Sequence, residues 1–397
     1  MFRSLWPLAA SLLIACQQGA ALKDDAAAGA DAGAQDIGAG AQDAGPQDAS
    51  AQGIDAGAPE IDAGAADAGE GRDANGGPHD AGSPVDASLG DSGAPRVCLG
   101  SESRDDITPT TAAPACNVNG LRRDLDVAYV SDGLGVDGPH RLDLYRPQGP
   151  GPFRLVIWIH GGGWMSGDEN NVNQAIGLAC SGFAVASIDY RLSDEAIFPA
   201  QIQDVKAAVR FLRANAASYQ LDPGRFAAFG SSAGGHLAAL LGTSGGVPAF
   251  EDSALGNAGV SSAVQAVVDW YGPTDFARMD SQLSAQGCPG QGHHSAADSA
   301  ESLVLGCQVG TAACAAANAA ASPMTYVDAN DPPFLVIHGT ADCTVPRAQS
   351  ADLAASLRAA SVCVSERSLV GAGHGGPEWV TVPPQDAVET FLDLVLR

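Results

Sequence analysis

Basic residues are scarce in this sequence: 20 Lys and Arg stand against 46 Asp and Glu, and the net charge is −26. The imbalance excludes a nucleic-acid partner, because binding phosphates requires clustered Lys and Arg. Residues 17–96 hold 15 acidic and 3 basic residues. Nearly half of the net negative charge therefore lies in a segment that is poor in large apolar residues, and the remainder belongs to an acidic folded domain.

The sequence also lacks a run of about 20 apolar residues, the length that a membrane-spanning helix needs. Its apolar run Leu5–Ile14 has only ten residues and follows a short basic head, which is typical of an export signal. The run leads into Ala15 and Cys16 and resembles a bacterial lipobox, so residues 1–16 are predicted to be a signal with Cys16 as the lipidated residue. With Gln17 after that cysteine, the segment resembles outer-membrane lipoproteins, which contact the membrane only through the anchor. The alternative is an ordinary signal peptide with an incidental cysteine, and then a secreted or periplasmic protein.

Large apolar side chains are almost absent from residues 17–96, where Asp-Ala-Gly recurs at irregular spacing. A solenoid would need apolar residues in every repeat, so this segment is predicted to be a disordered linker. A role in binding cations or wall polymer is the alternative, but the Asp residues are dispersed among Ala and Gly. Residues 97–397 are then expected to form one folded domain.

Cysteine patterns typical of metal sites are missing as well, because the nine cysteines form no CxxC pair and no His/Cys cluster with zinc-like spacing. We expect neither a metal nor an organic cofactor. Beyond Cys16 the cysteines are even in number, which in an exported chain favours disulfides. Cys98–Cys116 is the first expected bridge, and Cys180 is expected to be a free buried thiol. The other bridges are expected among Cys288, Cys307, Cys314, Cys343 and Cys363.

Hydrophobic runs alternate with helical patterns along residues 120–397, and this alternation predicts an α/β fold with a mostly parallel sheet covered on both faces. Continuous apolar runs predict buried strands at Phe153–His160, Phe183–Asp189, Phe226–Gly230, Val264–Trp270 and Phe334–His338. Further strands are predicted at Leu125–Val130, Arg141–Arg146 and Val362–Val370, and helices at Gln201–Ala214, Gly235–Gly242, Gln349–Ala359 and Gln385–Leu396. The long segment Asp275–Asp331 interrupts the alternation and is expected to be an excursion over the site.

A serine lies at the junction between a predicted strand and a predicted helix, within Gly230-Ser231-Ser232-Ala233-Gly234. The sequence matches G-x-S-x-G, in which small residues are needed because a sharp strand-to-helix turn crowds the backbone. Such a turn exposes the hydroxyl group and directs the helix N-terminus at developing negative charge. We therefore predict that Ser232 is a nucleophile.

Three consecutive glycines, Gly161, Gly162 and Gly163, follow the buried strand that ends at His160. Glycine lets the backbone approach a substrate closely. With the N–H of Ala233, these N–H groups would form an oxyanion hole for a tetrahedral intermediate. A phosphate-binding loop is the alternative, but no Lys follows the glycines at the required spacing.

An acid and then a base follow the serine, which is the order Ser, Asp, His that accompanies a G-x-S-x-G turn between a strand and a helix. Asp342 comes just after the strand Phe334–His338, and His374 lies in a glycine-rich loop after the last predicted strand. A serine needs a base to take its proton, so His374 is predicted to be that base and Asp342 the acid that orients it.

The other histidines and carboxylates near these motifs are predicted to be structural. His338 lies inside the end of a strand and is expected to be packed and hydrogen-bonded. His236 lies one helical turn beyond Ser232, and a base there would point along the helix and not toward the Ser232 hydroxyl. Asp331 precedes the strand Phe334–His338, so it is expected at the amino end of the parallel strands and not at the carboxyl end, where Ser232 lies. The pair His293-His294 lacks nearby carboxylates and is expected in a solvated loop rather than at a metal.

Several motifs in this order resemble the α/β-hydrolase esterases related to hormone-sensitive lipase. They are similar above all to the BD-FAE branch, which includes ferulate and acetyl-xylan esterases and kynurenine formamidase-like enzymes. The resemblance covers about residues 120–397. The motifs that carry it are His160–Trp164, Asp189–Leu192, Gly230–His236, Tyr271–Asp275 and His338–Pro346.

The resemblance implies a mostly parallel eight-stranded sheet and hydrolysis of short-chain acyl or aryl esters, small or linked to polysaccharide. It also implies structural roles for Asp189–Arg191 and Asp204. Because no helical cap precedes the first strand, Asp275–Asp331 is the expected pocket roof. Trp164, Trp270 and Tyr271 are expected to form apolar pocket walls. The remaining alternatives are a catalytically inactive surface binding protein, a serine peptidase and a formamidase.

Overall fold

The structure is a computed structural model that describes residues 106–112, 116–131, 138–288 and 293–397. The predicted signal, the lipidation site at Cys16, the linker 17–96 and Cys98 lie outside the described residues. No helix in the described part of the chain is both long and apolar enough to cross a membrane.

Eight strands form one sheet in the order β1-β2-β4-β3-β5-β6-β7-β8. Strand β2 pairs antiparallel with β1 and β4, and every other pair is parallel. The predicted mostly parallel, eight-stranded α/β-hydrolase sheet is therefore confirmed. The strands are β1 (Arg122–Ala128), β2 (Arg141–Arg146), β3 (Phe153–Ile159), β4 (Ala184–Ile188), β5 (Leu221–Ser231), β6 (Ala266–Trp270), β7 (Phe334–Gly339) and β8 (Val364–Leu369).

Helices cover both faces of the sheet, as the alternation of the sequence predicts. Alternate residues of β3 show the division: Leu155, Ile157 and Ile159 belong to one hydrophobic core, whereas Val156 and Trp158 belong to the other. Side chains of α2, α3 and α7 pack in the first core, and those of α1 and α8 pack in the second. The helices are α1 (Ile176–Cys180), α2 (Ala200–Ala214), α3 (Ala233–Thr243), α4 (Met279–Gln286), α5 (Ala300–Leu305), α6 (Ala315–Ala321), α7 (Ala348–Ala359) and α8 (Val382–Val395).

The excursion between β6 and β7 contains the short helices α4, α5 and α6 and is attached to the loop that follows β7. Cys288 after α4 forms a disulfide with Cys343, and the Gln286 Nε2 donates a hydrogen bond of 2.6 Å to the Asp342 carbonyl. The excursion is therefore tied to the segment that carries Asp342.

A buried ion pair lies within this excursion. The Nδ1 of His294 is 2.8 Å from Glu301 Oε1, and its Nε2 is 3.0 Å from the Thr344 carbonyl oxygen. Both His294 and Glu301 are buried. The expectation that His293-His294 lies in a solvated loop is therefore wrong for His294, because the carboxylate partner is supplied seven residues later by α5.

The cysteine pairing differs in part from the expectation. Cys116 is bonded to Cys180, so the expected Cys98–Cys116 bridge and the free Cys180 thiol are both wrong. The reason is tertiary: the segment before β1 passes α1, where Cys116 also contacts the Ile176 carbonyl. Cys288–Cys343 and Cys307–Cys314 are bonded, which confirms two bridges within the expected set. Cys363 is also in a disulfide, but the other four cysteines of that set are bonded to one another, so the expectation that Cys363 pairs within the set is wrong.

Loss of the Cys116–Cys180 bridge is expected to destabilise the protein more than loss of Cys307–Cys314. The two bridges close chain segments of 64 and 7 residues. Restricting the longer segment removes more entropy from the unfolded chain, by about 4 against about 2 kcal/mol. Urea unfolding of the two double Cys→Ser variants measures the difference. Equal losses of unfolding free energy in the two variants would contradict the prediction.

The His294–Glu301 pair is expected to make stability depend on pH. Burial alone would lower the pKa of His294, but Glu301 together with Asp280 and the Thr344 carbonyl oxygen outweighs burial and raises the pKa above its ordinary value of 6.5. The folded state then binds the proton more tightly than the unfolded state, so the stabilisation is complete below about pH 6.5 and is lost as the pH rises through the folded pKa.

The measurement is the melting temperature of the wild type and His294→Gln between pH 6 and 9. The gap between them should be largest at low pH and shrink as the pH rises. His293→Gln, which changes an exposed neighbour, should follow the wild type. A gap that stays constant or widens with pH would show that the pair is not an ion pair.

Candidate active site

Ser232 occupies the sharp turn between β5 and α3, with φ 56° and ψ −123°. The turn demands glycine on both sides of the serine. A Cβ atom on Gly230 would lie 2.1 Å from the Gly234 carbonyl oxygen, and one on Gly234 would lie 2.0 Å from the Ile159 carbonyl oxygen. The G-x-S-x-G pattern thus reflects close backbone packing between β3, β5 and α3.

A continuous hydrogen-bonded chain joins Ser232, His374 and Asp342. The His374 Nε2 is 2.8 Å from Ser232 Oγ, and the His374 Nδ1 is 2.8 Å from Asp342 Oδ2. With Nδ1 donating its proton to the carboxylate, Nε2 of a neutral imidazole is left as an acceptor for the hydroxyl group. The structure thus brings together the three side chains that the sequence singled out.

Asp342 is fully buried, and its surroundings hold it in the charged form. Burial alone would raise the pKa of this carboxyl group, but hydrogen bonds from His338 and His374 outweigh burial and hold the pKa well below its usual value. The backbone N–H groups of Thr344 and Val345 also donate to Oδ1, at 2.8 and 3.0 Å. A permanent carboxylate can therefore face His374 at neutral pH.

His374 is positioned by two aromatic residues. The Tyr271 ring lies edge-on to the imidazole with centroids 4.7 Å apart. Trp379, fully buried, contacts Tyr271 and donates from Nε1 to the Gly373 carbonyl at 3.1 Å. The sequence reasoning missed Trp379, whose only signal was a large aromatic residue soon after the glycine-rich loop.

The glycine loop lies directly against the serine. A Cβ atom on Gly161 would be 3.3 Å from the Ser232 Cβ. Within the described residues, the N–H groups of Gly162, Gly163 and Ala233 have no hydrogen-bond acceptor. These groups are thus available to a ligand at the serine.

His160 anchors the start of this loop, as expected for a structural histidine. Its ring stacks on Tyr190 with centroids 4.3 Å apart, and the Tyr190 hydroxyl donates to the His160 carbonyl oxygen at 3.0 Å. Asp204, fully buried, accepts hydrogen bonds from the backbone and guanidinium of Arg191. Asp204 thus holds the turn after β4 in place, as the resemblance implied.

The rival histidines His236 and His338 make their hydrogen bonds to groups other than the Ser232 hydroxyl. The Nε2 of His236 is 2.8 Å from the Ala321 carbonyl oxygen, and burial lowers the pKa of His236 to about 4. His338 is buried and lies 2.7 Å from Ser350 Oγ and 2.9 Å from the Val345 carbonyl oxygen. His338 is thus packed and hydrogen-bonded, as expected.

A pocket of about 630 Å³ opens above the serine. Trp164 and Tyr271 line it as expected, but Trp270 does not. Trp270 is fully buried and packs against Phe229 and Trp379 in the second core. The side chain of the last residue of β6 points to that core, so its assignment as a pocket wall was wrong.

The excursion supplies the opposite side of the pocket, as the roof prediction required. Its residues His293, His294, Ala296, Asp298, Ser299, Ala300 and Glu301 line the pocket. Among the described residues, one group of three side chains could hold a metal ion: Asp126, Asp143 and Glu169. None of the three belongs to the pocket lining.

A polar chain that the sequence reasoning missed joins two residues of the pocket lining, Ser231 and Tyr271, through Gln174. The Ser231 hydroxyl donates to Gln174 Oε1 at 2.8 Å, and the Gln174 Nε2 donates to the Tyr271 hydroxyl at 3.1 Å. The Gln174 carbonyl in turn accepts from Gln385 at 2.9 Å. Because Gln174 comes from an irregular segment before α1, no local motif could point to it.

Comparison with known proteins identifies relatives for most of the folded chain. The BD-FAE family profile matches residues 142–357, from β2 to α7. Esterase LipC of Mycobacterium tuberculosis is 32% identical over 315 residues, 75% of this chain and 73% of that protein. A truncated carbohydrate esterase from gut microbiota has a TM-score of 0.61 and 34% identity, covering 72% of this chain and 100% of that chain. A bifunctional GH43-CE protein of Bacteroides eggerthii has a TM-score of 0.58 and 36% identity, covering 70% of this chain and 38% of that chain.

The profile includes Ser232 and Asp342 but ends before His374, so the association of His374 with them rests on the hydrogen bonds described above. The relatives and the structural neighbours agree with the eight-stranded sheet. The chain belongs to the BD-FAE family and is an α/β-hydrolase esterase of the type related to hormone-sensitive lipase.

Proposed function

We propose that this esterase uses Ser232 as nucleophile, His374 as general base and acid, and Asp342 as the carboxylate that orients His374. The observation that carries the proposal is the chain of two 2.8 Å hydrogen bonds that ends at the serine hydroxyl, on the floor of the pocket. The reaction is hydrolysis of a carboxylic ester, and this chemistry requires no cofactor.

In the first step the Ser232 oxygen attacks the ester carbonyl carbon while its proton passes to His374 Nε2. The imidazolium that forms is stabilised by the Asp342 carboxylate, which stays ionised throughout. His374 then donates this proton to the leaving alcohol, and an acyl-serine remains. Water, activated by His374 in the same way, attacks the acyl-serine and releases the acid.

The negative oxygen of each tetrahedral intermediate is proposed to bind the N–H groups of Gly162, Gly163 and Ala233. Their lack of acceptors among the described residues supports this role. Gly161, the other glycine predicted for the hole, is proposed to act by close packing, since a Cβ atom there would lie 2.9 Å from the Ser231 carbonyl oxygen. Each donor of such a hole typically contributes about 10²–10³ in rate.

The alcohol part of the substrate is proposed to be polar, such as a sugar that carries a short acyl group. Two observations support this choice. The roof lines the pocket with polar side chains, including Asp298, Ser299 and Glu301, and one structural neighbour is named a carbohydrate esterase. Trp164 and Tyr271 belong to the pocket lining but are only 2% and 3% exposed, so each can offer only a small apolar contact to the acyl group.

The proposal includes export and a lipid tether at Cys16, which rest on the sequence alone. A linker of 80 residues would average roughly 50 Å end to end as a flexible coil. It would let the hydrolase reach polymer-bound esters from a membrane surface.

Replacement of the nucleophile is expected to abolish turnover. With the full-length chain, nitrophenyl esters from acetyl to long acyl chains should be hydrolysed with a preference for short chains. Ser232→Ala should lose at least about 10⁴-fold in kcat, as removal of a serine nucleophile does elsewhere.

The matched control is Ser231→Ala, which removes the neighbouring hydroxyl of the same turn. Its hydroxyl bonds Gln174 rather than His374, so turnover should fall far less. A folded wild type that is inert on every ester, or a Ser232→Ala variant as active as the wild type, would favour the inactive binding protein.

Glu301→Gln is expected to weaken selection of the polar alcohol. Glu301 lines the pocket, and its contact with His294 uses Oε1 and not Oε2. A sugar hydroxyl could donate to Oε2, and a hydrogen bond to a charged acceptor contributes about 1.5–3 kcal/mol. The kcat/KM for an acetylated sugar should fall about 10-fold or more, and that for nitrophenyl acetate should fall much less.

Asp298→Asn, at an exposed carboxylate of the same roof, provides the comparison and should change the ratio between the two substrates less. If Glu301→Gln lowers kcat/KM equally for both substrates, Glu301 acts through the fold of the roof and not through the alcohol.

A further inference from the structure

Three carboxylates from separate parts of the chain meet at the edge of the sheet. Asp126 lies at the irregular point of β1, Asp143 lies on β2, and Glu169 lies in the loop after the glycines. One carboxylate oxygen from each lies within 4.8 Å of the others. Because the three residues are far apart in sequence, no sequence motif indicates the cluster.

Two of the three carboxylates are removed from water. Glu169 is 1% exposed and Asp143 is 2% exposed. The Asp143 oxygens accept hydrogen bonds from the Asp126 N–H at 2.9 Å and the Tyr145 hydroxyl at 3.0 Å. In Glu169, Oε1 accepts a 3.3 Å hydrogen bond from Asn170, but Oε2 is buried without any partner. A buried carboxylate oxygen without a donor or a cation is costly.

The nearby cation Arg141 does not balance these charges. Its guanidinium lies 3.7 Å from Asp126, 3.7 Å from Glu169 and 3.8 Å from a fourth carboxylate, Asp189. Its Nε is committed to the Gly138 carbonyl oxygen at 2.9 Å. This guanidinium therefore lies near three carboxylates, at distances longer than hydrogen bonds.

We propose that Asp126, Asp143 and Glu169 bind one calcium ion. Calcium takes carboxylate oxygens at about 2.3–2.6 Å, so oxygens on opposite sides of an ion lie up to about 5 Å apart. The spacing of the cluster meets this limit. Calcium also accepts irregular geometry and completes its shell with water, which the half-exposed Asp126 side chain admits. Zinc is a poorer fit, because no nitrogen or sulfur ligand belongs to the cluster.

The ion would join the loop after the glycines to the first two strands. Glu169 lies five residues beyond Trp164 of the pocket wall, and Asp189 beside the cluster also lies 3.6 Å from His160. Bound calcium would thus hold in place the segment that continues from the glycine loop. The proposal does not depend on the identity of the substrate or on the catalytic roles of the triad.

The test uses the purified full-length chain after treatment with a chelator. Calcium at about 100 times its dissociation constant should raise the melting temperature by about 5 °C or more. Terbium, a luminescent substitute for calcium, should emit when tyrosine is excited, because the Tyr145 hydroxyl contacts Asp143. Excess calcium should then displace terbium and extinguish the emission.

Glu169→Gln keeps the shape of the side chain and removes its charge, so it should lose both the calcium-induced rise and the terbium emission. Without calcium its melting temperature should equal or exceed that of the wild type, because a buried uncompensated charge is gone. Asp126→Asn, at a half-exposed position that tolerates change, should also lose the response. Asp168→Asn, which alters a neighbouring carboxylate bonded to the Asn170 N–H, should respond like the wild type.

Two outcomes would overturn the proposal. In one, millimolar calcium leaves the melting temperature of the wild type unchanged and terbium gives no emission. In the other, Glu169→Gln and Asp126→Asn respond to calcium as fully as the wild type, which would place the binding at other carboxylates of this acidic chain.

Discussion

Ser232 is held in a backbone conformation that an L-residue adopts only when its surroundings enforce it, at a cost of about 1–3 kcal/mol. The enforcement comes from two sides. The Ser232 N–H donates to the Trp270 carbonyl at 2.9 Å, and Gly230 and Gly234 let β3, β5 and α3 approach to backbone contact. Both hydrophobic cores stabilise those elements. The free energy of burying the sheet in the two cores thus offsets the cost of the strained backbone at Ser232.

The charge on Asp342 is the second constraint, and it explains the arrangement of the loops around the serine. A fully buried carboxylate is stable only when it is hydrogen-bonded and paired. His338 and His374 and the N–H groups of Thr344 and Val345 meet that need. These contacts fix the path of the chain from β7 into α7. Because the Nδ1 of His374 is bonded to Asp342, only its Nε2, which faces Ser232, is left to exchange a proton.

The fold could be predicted, and Ser232, Asp342 and His374, which the structure brings together, could be singled out, because their signals are local. Continuous apolar runs identify buried strands, and the turn at Ser232 tolerates only small neighbours. The errors fall where contacts join distant segments. Cys116, before β1, is bonded to Cys180 at the end of α1. The carboxylate that pairs with buried His294 comes from the next helix, α5. Trp270 was misplaced for a related reason: hydrophobicity marks a residue as buried but does not say whether it faces the pocket or the core.

The roof and the loop that carries Asp342 share contacts, so the selectivity and the catalysis proposed for them would be coupled. Cys288 is bonded to Cys343, next to Asp342, and the His294 Nε2 faces the Thr344 carbonyl oxygen. The Thr344 N–H meanwhile donates to Asp342. A change in the roof that moved His294 would therefore act on the same peptide segment that fixes the carboxylate behind His374. Changes in the roof are constrained by this attachment, and also by α3 after the serine, where the His236 Nε2 lies 2.8 Å from the Ala321 carbonyl oxygen of the roof.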